Sequence, residues 1–165
     1  MCRGPFPIRK AFHEILDEAV MKISAKTEYA CVALLELAAR YESGEPVRIR
    51  KIAERHSVPA RFLVQILLQL KGAGIVESTR GAAGGYRLVV PPDSLSLGRV
   101  MDIIEGNRDD REAMVSGASP DSPAVKALID AWRGVHRKER ELLESITFGR
   151  LLEDARRYDT AMYYI

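Results

Sequence analysis

Apolar residues recur along most of this chain at every third or fourth position, the spacing that lays one buried stripe on a helix. Ser24 is a good N-cap for a helix reaching about residue 42, with Tyr29, Ala30, Ala33, Leu34, Leu37, Ala38 and Tyr41 as its stripe. Ser43-Gly44 ends it, and Val47-Arg48-Ile49 reads as a short strand. A second helix over about 50–55 follows, then a turn at His56-Ser57-Val58. Pro59 suits the first turn of a third helix, where its missing N–H is no loss. That helix runs to about Lys71, with Phe62, Leu63, Ile66, Leu67 and Leu70 inward, until Gly72 and Gly74 stop it.

The helical period then breaks. Ile75-Val76 and Leu88-Val89-Val90 are short apolar runs flanking Arg80-Gly81-Ala82-Ala83-Gly84-Gly85-Tyr86, which reads as a β-hairpin with a thin, cationic tip. Gly81, Gly84 and Gly85 allow backbone angles barred to other residues. Beyond Pro91-Pro92-Asp93, Ser96 caps a helix over about 97–105. Residues 106–122 are polar, with Gly, Ser and Pro, and read as a loop. A long helix is predicted over 123–145, with Val125, Leu128, Ile129, Trp132, Val135, Leu142, Leu143 and Ile146 as its stripe. Thr147 caps a last short helix carrying Leu151 and Leu152. At the other end, Ile8, Phe12, Ile15, Leu16, Ala19 and Val20 keep helical spacing after Gly4-Pro5 and Pro7. Residues 1–20 are either a helix docked on the body or an over-extended start, with Met21 the true first residue.

The expected fold class is mainly α with a small β-hairpin. A winged helix-turn-helix head spans 21–105, a loop 106–121, and a dimerisation helix with its C-terminal tail 122–165. The chain of 165 residues is 47 % hydrophobic and 7 % aromatic, enough for one mostly aliphatic core. Its formal net charge of +2 says little about partners, but the charge is unevenly placed. Between 44 and 90 stand eight Lys or Arg (Arg48, Arg50, Lys51, Arg55, Arg61, Lys71, Arg80, Arg87) against Glu45, Glu54 and Glu77, a surplus of five. Residues 106–165 carry a surplus of one negative charge. Positive charge on the head is what attraction to phosphates requires.

The third helix is the candidate reading helix. Arg61, Gln65 and Gln69 share a face at i, i+4 and i+8, and in the major groove Arg pairs well with guanine and Gln with adenine. Val64 beside them either meets a thymine methyl or packs. Arg80, with Gly81 and Gly84, forms a wing tip suited to a groove or a phosphate. Lys26 and Thr27, at the start of the first long helix, are candidate phosphate contacts.

Other chemistry is poorly supplied. His13, His56 and His136 lie far apart in sequence, and the hairpin glycines sit between two strands instead of before a helix, so no enzyme is expected. Cys2 and Cys31 form no ligand cluster, and no metal site is expected. No stretch nears the roughly 18 apolar residues of a membrane span. Arg9, Lys10, Glu14, Asp17 and Glu18 interrupt any signal-peptide core, so a cytoplasmic protein is expected.

Met21-Lys22-Ile23-Ser24, Thr27-Glu28-Tyr29-Ala30, Ile52-Ala53-Glu54, Phe62-Leu63, Gly74-Ile75-Val76, the wing from Arg80 to Leu88, and Leu95-Ser96-Leu97 through Ile104-Glu105-Gly106 together resemble the Rrf-two family of bacterial winged-helix regulators. The resemblance is close over 21–106 and weaker beyond, and it supports Met21 as the ancestral start. It implies a homodimer that binds near-palindromic operator DNA, often as a repressor, with the long helix crossing to the partner subunit. The stripe Val125, Leu128, Ile129, Trp132, Val135 and Leu142 matches that role. Members that bind an iron–sulfur cluster carry three cysteines in the loop before the long helix. Here 106–122 has neither Cys nor His, so the resemblance carries no cluster to this chain. Cys31 lies on another element and reads as a small buried hydrophobe. A glutamate common after the Leu of the reading helix is Val64 here, so operator preference is not carried over. A wing that often reads Pro-Gly has Ala82-Ala83.

The expected function is sequence-specific, DNA-binding transcriptional regulation by a homodimeric repressor. The rival is a winged-helix protein-interaction module without specific DNA binding. The expected signal is a small-molecule effector at the dimer cleft, then a partner protein, then oxidation of Cys31.

Overall fold

The computed structural model describes residues 23–106 and 122–162. The N-terminal stripe from Ile8 to Val20, Met21, Cys2, His13 and most of the polar loop lie outside the described residues. Six helices are described: α1 (Ala25–Ala38), α2 (Ile49–His56), α3 (Ala60–Gly72), α4 (Leu97–Glu105), α5 (Pro123–Ser145) and α6 (Phe148–Met162). Strands β1 (Val76–Thr79) and β2 (Gly85–Leu88) lie between α3 and α4, with a short 3-10 turn at Pro92–Ser94 after them.

Local chemistry sets the boundaries. Ser24 caps α1, its hydroxyl accepting the Thr27 N–H at 3.2 Å, and Ser96 caps α4 by accepting from the Arg99 N–H at 3.1 Å. Helix α1 ends at Ala38, earlier than the expected residue 42, and unwinds through turns to Gly44. The turn between α2 and α3 depends on Ser57 in the left-handed region (φ 54°), the one non-glycine with positive φ among the described residues. Pro59 then N-caps α3. Helix α6 has 15 residues and is not the short helix expected; the Thr147 hydroxyl accepts the Arg150 N–H at its start.

The core of the head is aliphatic, as its composition implied. Leu34 and Leu37 of α1, Ile52 of α2, Leu63, Ile66, Leu67 and Leu70 of α3, Ile75, and Val100 and Ile104 of α4 are essentially inaccessible to solvent. Phe148 joins them from beyond the long helix. It is seated by a backbone bridge in which the Leu97 N–H donates to the Ile146 carbonyl and the Phe148 N–H to the Leu95 carbonyl, both at 2.9 Å. Burying such side chains stabilises by about 1.5–3 kcal/mol each. Phe62, expected inward, is 41 % exposed and sits at the rim against Tyr29, ring centroids 6.2 Å apart. Its position flanks the Leu63–Leu70 stripe without belonging to it.

The hairpin lies nearer its tip than expected. Val76 pairs with Leu88 and Thr79 with Gly85, so Ile75, Val89 and Val90 fall outside the ladder. Val47 adds one antiparallel bridge to Tyr86, with N–H donors to carbonyls at 2.8 and 2.9 Å, where a short strand was expected. Only Gly81 of the wing glycines needs positive φ (101°). Gly85 is needed for a different reason: a Cβ there would stand 2.6 Å from the Val47 carbonyl oxygen.

The C-terminal part of long helix α5 rests on the head. Arg140 pairs with Asp102 of α4 at 2.6 Å, and the Ser96 hydroxyl donates to Glu144. No residue of α5 is fully buried.

Candidate nucleic-acid interface

Helix α3 has two unlike sides. Leu63, Ile66, Leu67 and Leu70 anchor one in the core, while Arg61, Val64, Gln65 and Leu68 are exposed on the other. The Arg61 guanidinium lies over the Phe62 ring, 5.0 Å from its centroid, and the residue is exposed. Leu68 joins this outward side in place of Gln69, a position the expected series Arg61, Gln65 and Gln69 does not include. The signal was present: Leu68 stands seven residues from Arg61 and four from Val64.

Gln69 does not belong to that outward side. Its side-chain amide donates to the Ile103 carbonyl of α4, and its Oε1 accepts from Lys26 Nζ at 2.8 Å. The amide is therefore a strut between α3, α4 and α1, which corrects its reading as a base contact. Thr27 needs a similar correction. It is buried, and its hydroxyl donates to the Glu105 carboxylate at 2.6 Å. A phosphate contact from its side chain is closed off, whereas Lys26 remains exposed one residue earlier.

The wing is braced from two directions. Lys71, at the end of α3, donates to the Ser78 hydroxyl of β1 at 2.6 Å, and Arg48 donates to the Ala82 carbonyl at the tip. Arg87 and Glu77 pair across the strands. Arg80 is exposed and makes no side-chain hydrogen bond or ion pair among the described residues, so its charge is open to a ligand. Gly81 is exposed at the tip, whereas Gly84 is buried inside the turn, where a Cβ would stand 2.3 Å from the Thr79 carbonyl oxygen. Gly84 is thus a packing requirement and not a contact surface, another correction.

Helix α2, which precedes the reading helix, is fixed by a charge cluster. Glu36 of α1 is buried and accepts from Arg40, from Arg55 of α2 at 3.2 Å, and faces a His56 ring nitrogen at 3.2 Å. Burial alone would raise the carboxyl pKa. Hydrogen bonds from His56 and Arg40 and the charges of Arg40 and Arg55 outweigh it and hold the carboxyl below the usual range.

No group of three or more His, Cys, Asp or Glu gathers as a metal site among the described residues. The Cys31 thiol is pushed up to about 12, first by burial and then by the charge of Glu28, so it carries no thiolate at neutral pH. With no Cys or His in 106–122, the donor set does not fit a cysteine-ligated cluster. No described helix is long and apolar enough to cross a membrane.

A buried-backed reading helix behind a braced, cationic wing defines a winged helix-turn-helix protein. Residues 23–154 match the family model of the Rrf2 (Rrf-two) proteins, described as iron-dependent transcriptional regulators. The chain is 36 % identical over 142 residues to a Synechocystis protein named as a HTH-type transcriptional regulator, covering 86 % of this chain and 94 % of that one. It is 32 % identical over 150 residues to the HTH-type transcriptional regulator CymR of Bacillus subtilis, covering 88 % and 100 %. The solved structure of that CymR, titled the global cysteine regulator, superposes with a TM-score of 0.68 at 30 % identity, over 81 % of this chain and 98 % of that one. The chain belongs to the Rrf2 family. It is a DNA-binding transcriptional regulator and not an enzyme, as CymR and IscR of the family are. The protein-docking reading falls with that assignment.

Proposed function

We propose that the protein acts in the cytoplasm as a homodimeric repressor of near-palindromic operators. Arg61 and Gln65 of α3 read the major groove. Arg80 of the wing lies at the minor groove, and Lys26 touches phosphate. The observation that carries this reading is the two-sided α3: its core side fixes the helix while Arg61 and Gln65 stand free on the other. Support for the dimer comes from α5, whose Leu128, Trp132, Val135 and Leu142 are each more than half exposed, with Val125 and Ile129 half-buried beside them. A twofold dimer calls for half-sites about one helical turn, roughly 34 Å, apart.

The proposed signal is a small molecule at the cleft between subunits, then a partner protein. Oxidation of Cys31 ranks last because its thiol is packed and protonated.

Selection of bound sequences from a random DNA pool tests the reading, and a palindromic consensus is the expected result. On that consensus Arg61→Ala costs about 1–3 kcal/mol and relaxes preference at one base pair. Folded protein that enriches no sequence overturns the reading.

A further inference from the structure

The outward side of α3 is not uniformly polar. With about 3.6 residues per turn, Leu68 falls between Val64 and Arg61 and opposite the buried stripe, with Gln65 on the far side of Arg61. Val64 is 41 % and Leu68 55 % exposed, so neither is held by the core. Two large apolar side chains exposed on a DNA-binding face, Leu68 near its centre and Val64 toward its edge, call for an apolar partner. The phosphates have none to offer. The major groove has one, the C5-methyl of thymine.

The surroundings favour DNA over a second copy of this chain as the occupant. No acidic residue lies on α3, and Arg61 and Lys71 share its outer faces. On α2, Lys51 and Arg55 are exposed nearby in the chain, and Arg80 stands at the wing. An apolar patch framed by cations matches a groove lined by methyls and walled by phosphates.

We infer that Val64 and Leu68 form an apolar reading patch that selects thymine through its C5-methyl group, an inference that rests on α3 being the reading helix. The two residues are four apart, about 6 Å along the helix axis. Base pairs step about 3.4 Å, so the patch meets thymines about two steps apart on one strand or across the groove. Arg61 and Gln65, interleaved with the pair, read polar edges of neighbouring bases. Specificity then divides between hydrogen bonding at some positions and methyl contact at others.

The test uses the full chain and the operator obtained by pool selection. Each thymidine is replaced in turn by deoxyuridine, which deletes the methyl and leaves the Watson–Crick edge intact. Binding is read by fluorescence anisotropy. Replacement at one or two positions per half-site should weaken binding about fourfold per methyl, the worth of one buried methyl-sized group. Leu68→Ala and Val64→Ala, both at exposed helical positions, should each bind the thymine and uracil versions alike at one of these positions, with unchanged circular dichroism. If no uracil replacement changes affinity beyond twofold, methyl readout is overturned while sequence-specific binding stands. If the penalty appears but persists in both alanine variants, Val64 and Leu68 are not its source and the assignment is overturned. If the pool selects no sequence at all, the reading of α3 fails, and this inference with it.

Discussion

Helices α3 and α5 are both amphipathic, yet they stand in opposite relations to the core. Four apolar side chains of α3 are fully buried, whereas α5, with 23 residues, buries none completely. Both also push large apolar side chains into solvent: Leu68 on α3, and Trp132 and its neighbours on α5. A helix seated in a core has one side left over, and that side is free to carry recognition. A helix whose stripe is half-buried at best, with Leu128, Trp132, Val135 and Leu142 exposed, leaves apolar surface uncovered. The exposed residues of α3 fit the proposed DNA contact, and those of α5 the proposed contact with a second subunit.

The largest effect should come from the seated side of α3. Leu67 is inaccessible to solvent, so Leu67→Ala leaves a cavity and should cost about 2–5 kcal/mol in urea unfolding of the head. A loss below about 1 kcal/mol would mean that α3 is not anchored as described. Next comes Trp132→Glu, which places a charge in the middle of the α5 stripe. It should cost at least about 2 kcal/mol of association and yield monomers in sedimentation velocity. The sharper readout is the head itself. If monomers keep their helical spectrum and a cooperative melt, the two helices are as independent as their burial suggests. If the head melts with the dimer, the two helices are coupled, and Phe148, which follows α5 into the core, is the link between them.

The turn side of the head offers a smaller, pH-dependent effect. Glu36 holds its proton more weakly when folded than in the unfolded chain, because His56, Arg40 and Arg55 favour the carboxylate. Its contribution is thus present at neutral pH and is lost as pH falls from the ordinary carboxylate value through the lower folded one. Glu36→Gln should cost about 2 kcal/mol at pH 7 and progressively less in acid, by chemical unfolding across pH. Equal loss at every pH would assign the residue to packing alone.

The legible and illegible parts of the chain divide along physical lines. Boundaries marked by capping chemistry were readable: α4 and α5 run as Ser96, Pro123 and the apolar period predict. The hairpin is legible in the sequence, but the bridge from Val47 to Tyr86 that flanks it comes from outside the hairpin. The wing glycines allow unusual angles and Gly81 adopts one, but Gly85 answers to steric approach by Val47, which no local pattern reveals. Gln69 and Thr27 look like surface residues by type. Their partners, the Ile103 carbonyl and the Glu105 carboxylate, are more than thirty residues away in sequence. Leu68 is legible by spacing: it falls outside the inward series Phe62, Leu63, Ile66, Leu67 and Leu70, and its exposure follows from that.

The smallest predicted effect decides between two roles for Lys26. Its ammonium stands exposed at the start of α1 and also donates to Gln69, which in turn holds the end of α4. As a phosphate contact, each Lys26 releases about one counterion on binding, so Lys26→Ala should flatten the logarithmic salt dependence by about 0.9 per subunit and weaken all sequences alike. As a brace only, it should leave the slope unchanged and act through Gln69. Gln69→Ala supplies the control. It removes the strut while leaving the charge, so it should lower the stability of the head without altering the slope. A flattened slope in Lys26→Ala together with an unaltered one in Gln69→Ala assigns the ammonium to phosphate. Unaltered slopes in both place Lys26 with the scaffold of α3, on the buried side of the comparison between the two helices.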